Sequence, residues 1–141
     1  MNYWLLKTEP TTYSYADLER EGRTVWDGVS NNLALKYIRQ IQAGDQAFIY
    51  HTGTVKAIVG IATVISDPYG DPHNSKLVVF DLVPQRLLPH PVTLAQIKAH
   101  PAFANSLLVK NARLSVMPMT ADQWQLILNW AGDQAATKSP Q

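Results

Sequence analysis

The chain has 141 residues, 46% hydrophobic and 16% charged, with a formal net charge of +1. That length suits one globular domain able to bury roughly two-thirds of its unfolded surface, and the near-zero charge gives no global reason to expect a polyanionic partner. The lack of cysteine excludes disulfides and thiolate catalysis, and no run approaches the roughly 20 apolar residues of a membrane span.

The opening MNYWLLKTEP has too short an apolar run for a signal peptide and no basic segment before it, so a cytoplasmic protein without a membrane partner is expected. Within it, Asn2–Lys7 reads as a short buried strand ended by Pro10. Ser14 and Asp17 have the spacing of a capping box, which predicts a helix from Tyr15 to Glu21 stopped by Gly22. A loop around Trp26 follows. Leu33, Leu35, Ile38 and Ile41 then fall mostly on one face of a second helix, with Asn31 or Asn32 as cap and Gly44 beyond the end.

Gln46–Thr52 and Ala57–Ile65 read as neighbouring strands, the second apolar enough for a covered sheet. Ser66–Asn74 is a loop by local composition, and Lys76–Leu88 a strand bent at Pro84. Capping boxes at Thr93/Gln96 and Thr120/Gln123 predict two further helices, the first through Ala99 and the second stopped by Gly132, with a strand over Arg113–Pro118 between them. The end Asp133–Gln141 reads as frayed, giving one domain over 1–135 and a disordered tail over 136–141. Strands and helices interleave without regular βαβ alternation, which predicts an α+β fold around a small bent or closed sheet.

Charge distribution is more informative than the total. From Leu82 to Ala121 there is no Asp or Glu, while Arg86, Lys98, Lys110 and Arg113 lie there with His90 and His100. Side chains sharing a face would attract phosphates locally; scattered solvated charges are the plain alternative.

Chemistry-bearing clusters are few. Asp67, Asp71 and His73 form the only close set of metal-ligating types, in a Pro/Gly-rich loop where turn formation explains the Asp residues better, so no metal is expected. Ser30, His51 and Asp27 supply the residue types of a hydrolase without any nucleophile-elbow pattern, and Gly-rich phosphate loops are missing. His51 reads first as a satisfied histidine holding two loops together. Trp4 and Phe48 read as core; Trp26 suits either the core or a pocket wall.

Aromatic residues beside hydrogen-bonding ones recur in an ordered set. Trp4-Leu5-Leu6 is followed by Lys7-Thr8-Glu9-Pro10; Trp26-Asp27-Gly28-Val29-Ser30-Asn31 comes next; Ile49-Tyr50-His51-Thr52 ends a strand before IVGIATV; and Arg113-Leu114-Ser115-Val116-Met117-Pro118 comes late. In this order and spacing, over Asn2 to Ile127, the chain resembles the EVE domain family of the PUA-like fold group, which also holds the YTH and ASCH domains. The resemblance implies a small bent β-barrel of about five to six strands with short flanking helices.

It also implies a cofactor-free module that reads a modified base of DNA or RNA, flipped into an aromatic pocket, rather than an enzyme. A small hydrolase or nucleotide-processing enzyme using His51, and an interaction module for a protein or small ligand, remain the alternatives. On the family pattern the base pocket comprises Trp26, Gly28, Val29, Asn31, Thr8, Tyr50 and Tyr69. Phosphate or rim positions fall to Lys7, Ser30, His51, Lys110, Arg113 and Ser115. Three positions depart from that pattern: Ser30 stands for an Arg, Thr8 for a Ser, and Leu77 for a Trp. The first removes a cation and its fork of donors.

Overall fold

Trp4, Leu5 and Leu6 are buried without alternation because β1 (Tyr3–Thr8) is an inner strand, parallel to β3 (Gln46–His51) on one side and antiparallel to β7 (Val116–Met119) on the other. The computed structural model describes residues 1–133. Between β1 and β3 the chain passes through α1 (Tyr15–Glu21), β2 (Thr24–Trp26) and α2 (Asn32–Ile38). β4 (Ala57–Val64) follows, then β5 (Tyr69–Asp71) and the long β6 (Asn74–Thr93). The chain goes on through α3 (Leu94–Lys98), a 3-10 turn at Pro101–Phe103, α4 (Leu107–Lys110), β7 and α5 (Ala121–Trp130). The strands form one curled half-barrel in the order β2-β6-β4-β3-β1-β7, with β5 hairpinned onto β6.

Seven strands, rather than the expected five to six, reflect two short additions. β2 occupies what the sequence reads as loop, pairing Val25 with Asp81 and Trp26 with Phe80. β5 falls inside the expected loop Ser66–Asn74. A three-residue strand offers too few positions to show a period of two. β6 also outruns its expected end at Leu88, despite Pro89 and Pro91. Its register against β4 jumps between Gly60↔Leu87 and Ile58↔Val92, so both prolines lie in a bulge where no ladder N–H is required. β7 starts later than expected, and α4 is unanticipated.

The capping boxes form as the spacing predicts at Ser14/Asp17 and Thr120/Gln123, each joined by reciprocal side-chain and backbone bonds. At Thr93 the hydroxyl accepts from the Gln96 N–H, 3.1 Å away. The expected frayed end is corrected at its first residue. Asp133 is buried and bonds Arg86 at 2.8 Å, because β6 presents a guanidinium there. The tail beyond it lies outside the described residues.

Two buried polar contacts fix the core. Asp45 is 2% exposed, and its carboxylate accepts from the Trp4 indole N–H at 2.8 Å and from the backbone N–H groups of Asn2 and Gln42, each at 3.0 Å. A buried carboxylate supplied with three donors is stable where a lone one is not. Tyr15, the first residue of α1, is 1% exposed and donates its hydroxyl to the Ile61 carbonyl at 2.6 Å. Its ring fills the space over Gly60 so completely that a Cβ at Gly60 would lie 2.4 Å from the Tyr15 Cε1. Burial pushes the Tyr15 phenol up to about 12, so it remains a donor at all ordinary pH.

Gly60→Ala is therefore expected to displace the ring and cost about 1–3 kcal/mol, the usual penalty for forcing a methyl into a filled core. Urea unfolding with an unchanged m-value and a lower midpoint is the expected readout; an unchanged midpoint would mean the ring moves freely.

Candidate functional site

The run from Trp26 to Asn31 crosses from sheet to helix in a tight loop. β2 ends at Trp26, Gly28 takes the left-handed conformation at φ 78°, and Asn31 caps α2 by accepting the Ala34 N–H at 2.9 Å. No atom lies within 4 Å of where a Cβ would stand on Gly28, so its glycine serves the backbone turn rather than a steric fit. This loop faces the ends of β1 and β7 across a cavity of about 350 Å³. Its wall consists of the whole run 24–31 with Lys7, Thr8, Tyr13 and Ser115.

Trp26 resolves the choice between core and pocket by serving both. It is only 7% exposed and packs in the main hydrophobic cluster, yet it borders the cavity. Tyr13 packs edge-on against the indole, with centroids 6.3 Å apart and planes at 82°. The Tyr13 hydroxyl donates to Glu21 at 2.7 Å, and burial first, helped by Glu21, pushes it up to about 12. Thr8 donates its hydroxyl to the Tyr13 carbonyl at 2.7 Å, which fixes the Tyr13 backbone relative to β1. The Thr8 oxygen keeps lone pairs to accept, and the Asn31 amide keeps Nδ2 donors that its cap does not use. Lys7 donates to the Ala112 carbonyl at 3.0 Å and stands 5.5 Å over the Tyr50 ring; burial holds its ammonium below the usual lysine range.

The cavity thus brings together Trp26, Gly28, Val29, Asn31 and Thr8 from the expected pocket, and Lys7, Ser30 and Ser115 from the expected rim. It does not bring in the others. Tyr50 is buried beneath Lys7, because β3 directs it into a separate small cleft. Tyr69 sits on the β5–β6 hairpin, where its hydroxyl donates to the Asp81 carboxylate at 2.6 Å. Lys110 ends α4 and Arg113 lies in the turn before β7; both are exposed and neither borders the cavity. Leu77 packs against the core instead of the cavity. Tyr13 and Thr24 are wall residues that sequence reasoning missed, and no motif marks them: Thr8 and β2 place them there through tertiary contacts.

His51 is committed elsewhere. Its Nε2 accepts the Tyr15 N–H at 3.0 Å, and the ring borders a different hollow, with Glu9 and Pro10. Ser30 and Asp27 therefore do not meet it, and the hydrolase constellation is not assembled. Asp71 accepts the His73 N–H two residues on at 2.8 Å, as turn-forming residues do, while Asp67 accepts the Ala43 N–H from a distant segment at 3.0 Å. Of the basic side chains in the carboxylate-free segment, Arg86 is paired with Asp133.

Burial lowers the His51 pKa, partly offset by Glu9. A lowered native pKa means that the unfolded chain binds a proton first, so stability is complete above about pH 6.5 and declines as pH falls through the native value. Protonation also removes the acceptor for the Tyr15 N–H. Unfolding midpoints measured from about pH 7.5 down to about pH 5 are expected to fall in the wild type and to stay flatter in His51→Gln.

Comparison with known proteins gives consistent matches. The family model described as EVE domain matches residues 2–130. Thymocyte nuclear protein 1 of Rattus norvegicus is 30% identical, over 91% of this chain and 73% of the rat protein. Among solved structures, Rpa0253 from Rhodopseudomonas palustris has a TM-score of 0.89 at 40% identity, covering 94% of both chains. The crystal structure of human THYN1 in complex with 5-methylcytosine containing DNA has a TM-score of 0.83 at 24% identity, a likeness of fold, covering 99% of this chain and 100% of that one.

Proposed function

The chain belongs to the EVE domain family, and from that premise we propose that the cavity beside Trp26 receives a modified base flipped out of a DNA strand. One observation carries the reading: an aromatic wall and uncommitted hydrogen-bonding groups share a cavity of about 350 Å³, within the size range of small-molecule sites. A flipped base loses its stacking, and an aromatic face returns about 1–3 kcal/mol per base. Its exposed edge also needs partners, since an unpaired buried donor or acceptor costs about 1–3 kcal/mol. Trp26 supplies the first requirement. The Asn31 amide, the Thr8 and Ser115 hydroxyls and the backbone around Gly28 supply the second. Human THYN1 with its 5-methylcytosine DNA makes DNA the first ligand to try.

Selectivity for a methyl mark needs more than the methyl. Burying one methyl is worth about 0.8 kcal/mol, roughly a fourfold preference. Discrimination beyond that requires a penalty against the unmodified base, from sterics or from a polar group left unpaired. The extra methyl of Thr8 narrows the wall where the family pattern has Ser. Ser30 leaves the rim without the family's Arg, so phosphate contact there falls to Lys7. A hydrolase is disfavoured because the one histidine near the family motifs is used as a hydrogen-bond acceptor within the fold.

Fluorescence anisotropy with labelled DNA carrying 5-methylcytosine or other modified bases, and with RNA counterparts, tests the reading. Trp26→Ala is expected to weaken binding of the preferred oligonucleotide by about 1–3 kcal/mol, or roughly 5- to 150-fold. Trp26→Phe, which keeps a stacking face and most of the core volume, should retain more of it. No preference among bases, together with unchanged binding in the Ala variant of matching far-UV circular dichroism, would overturn the proposal.

A further inference from the structure

A base in a cavity is tied to a strand that must leave it, and the surface beside Lys7 offers a path. Lys7 borders both the Trp26 cavity and a small cleft containing Tyr50, Lys56 and Leu94. Lys56 and Leu94 in turn border a shallower hollow that reaches Lys98, at the end of α3. The three depressions therefore adjoin in a row, each sharing wall residues with the next. No Asp or Glu borders the second or the third, and Asp27, the carboxylate of the first, does not reach them. Among the described residues Lys7, Lys56 and Lys98 have no carboxylate partner; Lys7 and Lys56 donate to the carbonyls of Ala112 and Gly53.

We propose that these lysines form a phosphate track for the DNA strand carrying the modified base, running from the cavity past Lys7 and Lys56 to Lys98. The track rests on the base-binding reading above and assigns two positions, Lys56 and Lys98, that no family motif marks. It has a direction. The row leaves the cavity on the Lys7 side, so it holds nucleotides on that side of the modified base. Phosphate contacts of this kind position the strand and add affinity without reading sequence.

The test compares the salt dependence of binding for wild type, Lys56→Gln, Lys98→Gln and the double variant, with a DNA oligonucleotide carrying 5-methylcytosine. Each lost contact should reduce the slope of log K against log salt by about 0.7 to 0.9. Lys36→Gln, on the exposed face of α2, should leave the slope unchanged. Calorimetry with the free nucleoside 5-methyl-2′-deoxycytidine should show equal affinity in all these variants and loss in Trp26→Ala. Oligonucleotides with the modified base at one end or the other should separate: only one placement should keep the Lys56 and Lys98 effects. An unchanged slope in the double variant, with nucleoside binding intact, would overturn the track and leave the base reading standing. A wild type that binds neither the nucleoside nor modified over unmodified DNA would overturn both. Lysine effects that are equal for both end placements, or larger on the RNA counterpart than on DNA, would overturn the assignment to a directed DNA track.

Discussion

The seat of Tyr15 over Gly60 is the contact on which the rest of this architecture turns. A phenol ring replaces the side chain that β4 lacks, and its hydroxyl closes on the strand's own carbonyl at Ile61. The same residue's N–H reaches His51 at the end of β3, so one amino acid locks a helix onto two strands. Tyr13, two residues earlier, is thereby held where its ring edge meets Trp26. The aromatic wall of the cavity is thus an outwork of the core. Its rigidity comes from burial some distance away, which is how preorganised sites are usually supported.

The opposite wall has a different origin. The loop after β2 contains no regular backbone pairing, and its shape follows from the left-handed turn at Gly28 and the Asn31 cap. Three-residue β2 anchors this loop to β6 through Trp26 and Phe80. A short edge strand is a weak element alone, but Asp81, opposite Val25, accepts from Arg23 at 2.7 Å and from Tyr69 at 2.6 Å. Those two bonds, Tyr69 foremost, hold the Asp81 carboxyl below its usual range. Tyr69, expected at the base, works instead as a brace behind the strand that carries Trp26.

Much of the frame was legible because its signals are local. Ser14 with Asp17, and Thr120 with Gln123, announce helix starts by spacing alone, and the apolar run of Ala57–Ile65 announces a covered strand. Trp26, Thr8, Asn31 and Ser115 were legible through motif order. What stayed hidden depends on contacts between distant segments. β2 exists because β6 passes beside it, Tyr13 enters the wall because Thr8 bonds its carbonyl, and Tyr50 leaves the wall because β3 turns it inward. The prolines of β6 read as strand breakers, yet a bulge absorbs them. Charge counting found the carboxylate-free segment, but not that Arg86 is taken by Asp133 while Lys98 is free of any acid among the described residues.

The Arg86–Asp133 pair also sets where this folding unit can be cut. The family match stops at residue 130, but the acid that neutralises Arg86 comes three positions later and is 3% exposed. A fragment trimmed to the matched boundary would leave the partly buried guanidinium on β6 without its acid, and would forfeit the Asp133 N–H bond to Leu128 that closes the last turn of α5. Charge neutrality thus ties Asp133 into the folded unit although it lies past the extent of recognisable sequence.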